Sequence, residues 1–159
     1  MTTPETPATL VELAAAGAAY REAKEKLKSL RSQRATLVAQ GFTKKLPATE
    51  LAGHAGLSRQ RLYLVRDLGL AELKKTDVQM DLPPQKLLES LMDVISQLPA
   101  AVRETDTALR EVERLLVQAA ESGTTPVKDL ARLAEITPEQ TRKIRIKAGI
   151  APRRYASSA

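Results

Sequence analysis

The chain has 159 residues, 43% of them hydrophobic but only 3% aromatic, with no cysteine, no tryptophan and a net charge of +6. That length suits one ordinary domain or two small ones. The absence of cysteine excludes disulfides, a thiolate nucleophile and Cys-based zinc sites, and it suits a reducing cytoplasm. No run of eighteen apolar residues is present to span a membrane, and no charged-then-apolar opening marks a signal peptide.

Residues 1–6 read as a polar, frayed start, and Thr6-Pro7 supplies a cap and a first-turn proline for a helix. Leu10, Leu13, Tyr20, Ala23, Leu27, Leu30 and Leu37 recur at steps of three, four or seven, which predicts one helix to about Gln40 with a single apolar stripe. Gly17 lies on that stripe at a cost of about 1 kcal/mol of helix propensity against alanine, marking either a close helix crossing or a flexible spot. Gly41 is expected to end the helix as its C′ residue. A stripe this long exceeds what one small headpiece covers, so it calls for pairing with another helix, and a homodimer through the long helices is one expected arrangement. Lys24, Arg31 and Arg34 lie close to it and work against a long uninterrupted coiled coil. After a connector, Phe42 to Pro47, with Lys44 and Lys45 placed to touch phosphates, comes the most patterned stretch. Leu51, Ala55 and Leu57, then Leu62 and Val65, give two short helices an inward face each, and Ala52 is small where they must cross. Gly56 falls at the bend, where positive φ is needed. Ser58 stands as N-cap of the second helix, followed by Arg59, Gln60, Arg61, Tyr63 and Arg66.

Residues 48–67 thus fill the structural positions of a helix-turn-helix, and the stretch resembles the bacterial and phage DNA-binding superfamily of that name. The resemblance covers about twenty residues and implies that the second helix enters the major groove. Base contacts would then fall to Arg59, Gln60, Tyr63 and Leu64, with Ser58 and Arg61 near phosphates. An ordinary packed helix pair with a glycine turn is the plainer alternative.

Gly69 is expected to close the second helix. Residues 70–84 read as a linker holding Lys74-Lys75 and Pro83-Pro84, with only Val78, Met80 and Leu82 hinting at a short hairpin. Leu87, Leu88, Leu91, Ile95 and Leu98 mark a helix that Pro99 ends or kinks. Val102, Leu109, Val112, Leu116 and Ala119 carry the next stripe to about Ala120, before Thr124-Thr125-Pro126 opens a second helix-turn-helix candidate. A shift of 79 residues superposes the halves: Leu37-Val38 on Leu116-Val117, Pro47 on Pro126, Leu51-Ala52 on Leu130-Ala131, Leu57-Ser58 on Ile136-Thr137, and Val65-Arg66 on Ile144-Arg145. The second copy is degenerate, with Glu135 at the glycine position and Thr141 in place of Leu62. Its recognition helix, 137–148, would offer Thr137, Gln140, Arg142, Lys143, Arg145 and Lys147, with Arg153 and Arg154 in a basic tail expected to be disordered.

The expected architecture is all-α: two repeated units, each a long helix followed by a helix-turn-helix. Residues 1–69 form the first unit, 70–84 the linker, 85–150 the second and 151–159 the tail. Residues 21–66 carry eleven Lys/Arg against three acidic residues, and residues 140–159 carry six against none. Two basic blocks on two such motifs point to a polyanion, although residues 21–34 alone read as a solvated helix face. The lone histidine, His54, is a poor metal ligand without companions, and Tyr63 lacks the Arg and His set of a recombinase nucleophile. No metal or cofactor is expected, and the chain reads as a non-enzyme. Its expected partner is double-stranded DNA, bound sequence-specifically by helices at about 58–68 and 137–148, in a cytoplasmic, nucleoid-associated transcriptional regulator. DNA partition or packaging, or a helical protein-interaction module on the same scaffold, are the competing uses. Single-stranded RNA recognition lacks the stacking aromatics it usually employs.

Overall fold

The computed structural model describes residues 8–75, 82–122 and 125–150. The protein is all-α, and no strand occurs among the described residues. Its helices are α1 (Ala8–Thr43), α2 (Ala48–Ala55), α3 (Arg59–Lys75), α4 (Pro84–Glu121), α5 (Val127–Ala134) and α6 (Pro138–Lys147). None of them is long and apolar enough to cross a membrane. The region of the hinted hairpin, 76–81, and the basic tail with Arg153 and Arg154 lie outside the described residues.

The chain forms two compact units, one of residues 25–103 and one of residues 1–24 together with 104–159. The expected boundary at 70–84 therefore falls inside a unit, because each unit takes half of α1 and half of α4. In the first, Leu27, Leu30 and Leu37 of α1 share a core with Leu51, Leu62, Val65 and with Leu87, Leu91, Val94 and Leu98 of α4. In the second, Leu13 and Tyr20 of α1 share a core with Val112, Leu115 and Leu116 of α4 and with Leu130 and Ala134. The apolar stripe of α1 is thus covered within the chain by α4, with Thr105 Oγ1 donating to Ala23 O at 3.3 Å beside it. Burial, then the carboxylates of Glu113 and Asp106, raise the Tyr20 hydroxyl above its ordinary pKa.

Three local expectations need correction and a fourth is resolved. Gly41 does not end α1; it is buried in the helix against Leu51, where an added Cβ would lie 2.6 Å from a Leu51 methyl carbon. Lys45 instead takes the left-handed conformation, φ 61°, and Leu46 N closes the end onto Gly41 O at 3.0 Å. Gly69 does not end α3 but sits buried inside it. A Cβ there would meet the Ala35 carbonyl oxygen at 1.9 Å, so glycine is what lets α3 cross α1. With that contact formed, Leu70-Ala-Glu-Leu-Lys-Lys75 continues as a helix, and its two terminal lysines face the negative end of the helix dipole. Pro99 does not end its helix, since α4 runs through it. The missing N–H and the ring's crowding of the preceding turn normally disfavour this, but buried Leu98 and Ala101 hold the helix on either side. Gly17, left open between crossing and flexibility, is a crossing: its Cβ would lie 2.7 Å from the Ala134 backbone.

Candidate nucleic-acid interface

α2 and α3 form the first helix-turn-helix, in the unit of residues 25–103. Gly56 at the bend has φ 63°, and Leu57 N donates to Ala52 O at 3.0 Å, which closes α2. Ser58 caps α3 by accepting from Arg61 N at 3.3 Å. Buried Leu62, Val65 and Gly69 orient α3, and the opposite side faces solvent. On that outward side lie Gln60, Leu64 and Asp67, at helical steps of four and three, with Arg59 and Arg61 exposed to either side. Leu64 is 65% exposed and Leu68, one turn on, 64%.

Tyr63 and Arg66 are held differently. The Tyr63 ring lies 5.8 Å from that of Phe42, and the Arg66 guanidinium sits over both, 5.2 Å from the Phe42 centroid and 5.1 Å from that of Tyr63. Arg66 also pairs with Asp67 at 3.1 Å. These two side chains are half-buried and fixed at the flank of α3. Phe42, expected in the connector, belongs to the last turn of α1, and only the tertiary crossing shows what it packs against. Lys45 is exposed and Lys44 half-buried, both at the turn beside this flank. His54 Nδ1 lies 2.8 Å from Glu50 O, so one ring nitrogen is satisfied locally within α2.

α5 and α6 repeat the geometry in the unit of residues 1–24 and 104–159. Glu135 holds the left-handed bend at φ 55°, and Ile136 N closes α5 onto Ala131 O at 3.0 Å. Its carboxylate pairs with Arg21 of α1. Thr137 and Gln140 form a reciprocal capping box on α6, each side chain bonded to the other's backbone N–H at 3.1 Å. Both side chains therefore serve first as caps. Arg142, Lys143 and Lys147 are exposed, with Glu139 facing Lys143 at 3.7 Å. Arg145, expected among the surface cations, is buried at 8% exposure, one helical turn after Thr141, itself fully buried with its hydroxyl donating to Thr137 O at 3.2 Å. The turn residues of the two motifs stay in the 79-residue register, Pro47 with Pro126, Gly56 with Glu135 and Ser58 with Thr137.

A third feature escaped the sequence reading. Arg34 of α1 is half-buried and its Nε is enclosed without a hydrogen bond. Burial and the neighbouring guanidinium groups of Arg31 and Arg61 lower its pKa. Sequence alone places Arg31 and Arg34 on a solvated helix face, and only the crossing of α1 and α3 brings them to Arg61. Comparison with known protein families, with curated proteins and with solved structures finds no match to this chain. The residues of the site therefore carry the functional reading.

Proposed function

We propose that the protein is a sequence-specific binder of double-stranded DNA rather than an enzyme, with α3 as its principal reading helix. The observation that carries this is the outward side of α3, where Gln60 and Leu64 are exposed with Arg59 beside them on a helix fixed by a capped N-terminus and a left-handed glycine bend. Arginine matches the acceptor pair of guanine, glutamine the donor and acceptor of adenine, and an apolar side chain meets the thymine methyl. Lys45, Arg61 and Lys44 flank them for phosphate contact. α6 contributes charge through Arg142, Lys143 and Lys147, with a less open face because Thr137 and Gln140 cap the helix. Gene regulation is the commonest use of such a chain, and a nucleoid-associated location follows from that partner.

The test is binding to genomic fragments and to sites selected from random duplexes. Arg59→Ala is expected to cost about 1–3 kcal/mol at the preferred site, roughly a 5- to 150-fold loss, and to relax choice at one base pair. Arg142→Ala should weaken all sequences alike. If neither change weakens binding and no fragment outcompetes random DNA, sequence reading is wrong. A second reading has its own observation: Leu64 and Leu68 expose an apolar strip one turn apart with Asp67 beside it, which also suits a protein partner. A complex insensitive to salt would favour that partner, because phosphate contacts release counterions and weaken steeply as salt rises.

A further inference from the structure

Arg31, Arg34 and Arg61 stand together where α1 meets the flank of α3, and none has an ion pair or hydrogen bond from its side chain among the described residues. Clustered guanidinium groups repel, and the enclosed Arg34 Nε has lost water without gaining an acceptor. The fold does not require this. In the 79-residue register the same three places of the other unit hold Arg110, Glu113 and Gln140, so the corresponding positions carry one arginine, one carboxylate and one amide. The cluster is therefore specific to the unit whose α3 keeps the open reading face. Lys28 and Arg31 also line a groove of about 620 Å³ along α1 and α3, whose walls include Leu68 and the carboxylates of Glu25 and Glu72. A contact there has to be local, at the guanidinium groups, and cannot be a polyanion laid along the whole groove.

We propose that Arg31, Arg34 and Arg61 form a seat for one phosphate of the bound duplex, so that α1 grips the backbone beside the groove that α3 reads. This rests on the DNA-binding reading above and adds to it a contact outside the helix-turn-helix. A phosphate supplies what the cluster lacks: several strong acceptor oxygens and negative charge, matched to guanidinium forks. Arg34 is half-buried where Arg31 and Arg61 are exposed, which makes it the positioning member, while Arg31 and Arg61 close from α1 and α3.

The experiment is duplex binding as a function of salt for the full chain and for Arg34→Gln, which keeps a polar side chain without the charge. Each phosphate contact contributes about 0.9 to the slope of log affinity against log salt. Arg34→Gln should lower that slope by about one, so that between 50 and 200 mM salt its loss of affinity is about 3-fold smaller than that of the unaltered chain. Discrimination between preferred and random sites should stay as it was, in contrast to Arg59→Ala. Circular dichroism melts establish that the variant folds. A parallel arm measures the melting temperature in inorganic phosphate against chloride at equal ionic strength, where the unaltered chain should gain stability in phosphate and Arg34→Gln should not. An unchanged slope in a chain that binds DNA overturns the seat. If the chain binds no DNA but phosphate stabilises it through Arg34, the DNA reading fails and the anion seat stands. If phosphate and chloride act alike and no DNA is bound, both fail.

Discussion

Gly56 and Glu135 hold the same backbone conformation with opposite energetics. Both end the first helix of a helix-turn-helix at φ near 60° and close it with the same backbone bond, from Leu57 or Ile136. Glycine adopts that conformation freely, whereas a residue with a Cβ is strained there by about 1 kcal/mol. Glu135 offsets part of this through its pair with Arg21, but that pair is partly solvated and worth at most about 1 kcal/mol. Comparing Glu135→Gly with Glu135→Ala isolates the backbone contribution, since both lose the ion pair and only glycine relieves the bend. Glu135→Gly should be the more stable of the two by about 1 kcal/mol in urea denaturation. The mirror substitution, Gly56→Ala, should destabilise by a similar amount, because a Cβ at Gly56 meets nothing closer than an Ile95 methyl at 4.0 Å and only the backbone objects. Equal stability of the two Glu135 variants would mean the bend is not strained. The glutamate's conformation was legible in the sequence because the neighbouring motif fixed where the bend must fall. Its salt-bridge partner was not, since Arg21 is 114 residues away.

The glycines inside helices show where the sequence misleads and why. Read locally, Gly41 and Gly69 look like terminators, because a helix prefers almost any other residue internally and glycine is favoured just past its end. The propensity scale predicts that Gly69→Ala stabilises α3 by about 1 kcal/mol. Packing predicts the reverse. The new Cβ would lie 1.9 Å from Ala35 O and 2.9 Å from the Ala39 Cβ, and the first of these is backbone, which cannot rotate away. Moving α3 off α1 forfeits contact around buried Val65 and Leu62, and overpacking of this kind typically costs about 1–3 kcal/mol. Gly69→Ala is therefore expected to lower stability by about that amount and, under the proposed function, to weaken DNA binding as α3 shifts relative to its flanking arginines. A more stable variant would show that propensity wins. A crossing glycine and a terminating glycine have the same local signature, and only the identity of the helix opposite tells them apart. Helix type, the stripe of α1 and both helix-turn-helix segments were legible, because periodicity and turn chemistry are local. Of the candidate site, Arg59, Gln60 and Leu64 were legible as exposed positions for the same reason. The inward placing of Arg145 and the Phe42–Tyr63–Arg66 stack depend on neighbours distant in sequence.

For the whole molecule, the consequential feature is that the two compact units do not follow one another along the chain: residues 25–103 interrupt the unit made of residues 1–24 and 104–159. Residues 1–69 would be self-sufficient if the chain were two consecutive domains, as the residue matches at a 79-residue shift invite one to divide it. The unit of residues 25–103 instead draws Leu87, Leu91, Val94 and Leu98 from α4, all of them buried. Burying a large aliphatic side chain stabilises by roughly 1.5–3 kcal/mol, so the four together supply on the order of 6–12 kcal/mol. That matches the entire net stability of a typical domain, about 5–15 kcal/mol. A fragment of residues 1–75 should therefore lack a cooperative transition in urea and expose the α1 stripe, with the two cores of which it holds a part both incomplete. A fragment of residues 25–103 keeps all the buried members of its core and should unfold cooperatively. Mixing residues 1–75 with residues 82–159 should recover helicity and a single sharp transition, since together they supply every buried residue of both units. A cooperative transition for residues 1–75 alone, with a midpoint close to that of the full chain, would show that the halves are independent and that α4 only lies against a core already complete.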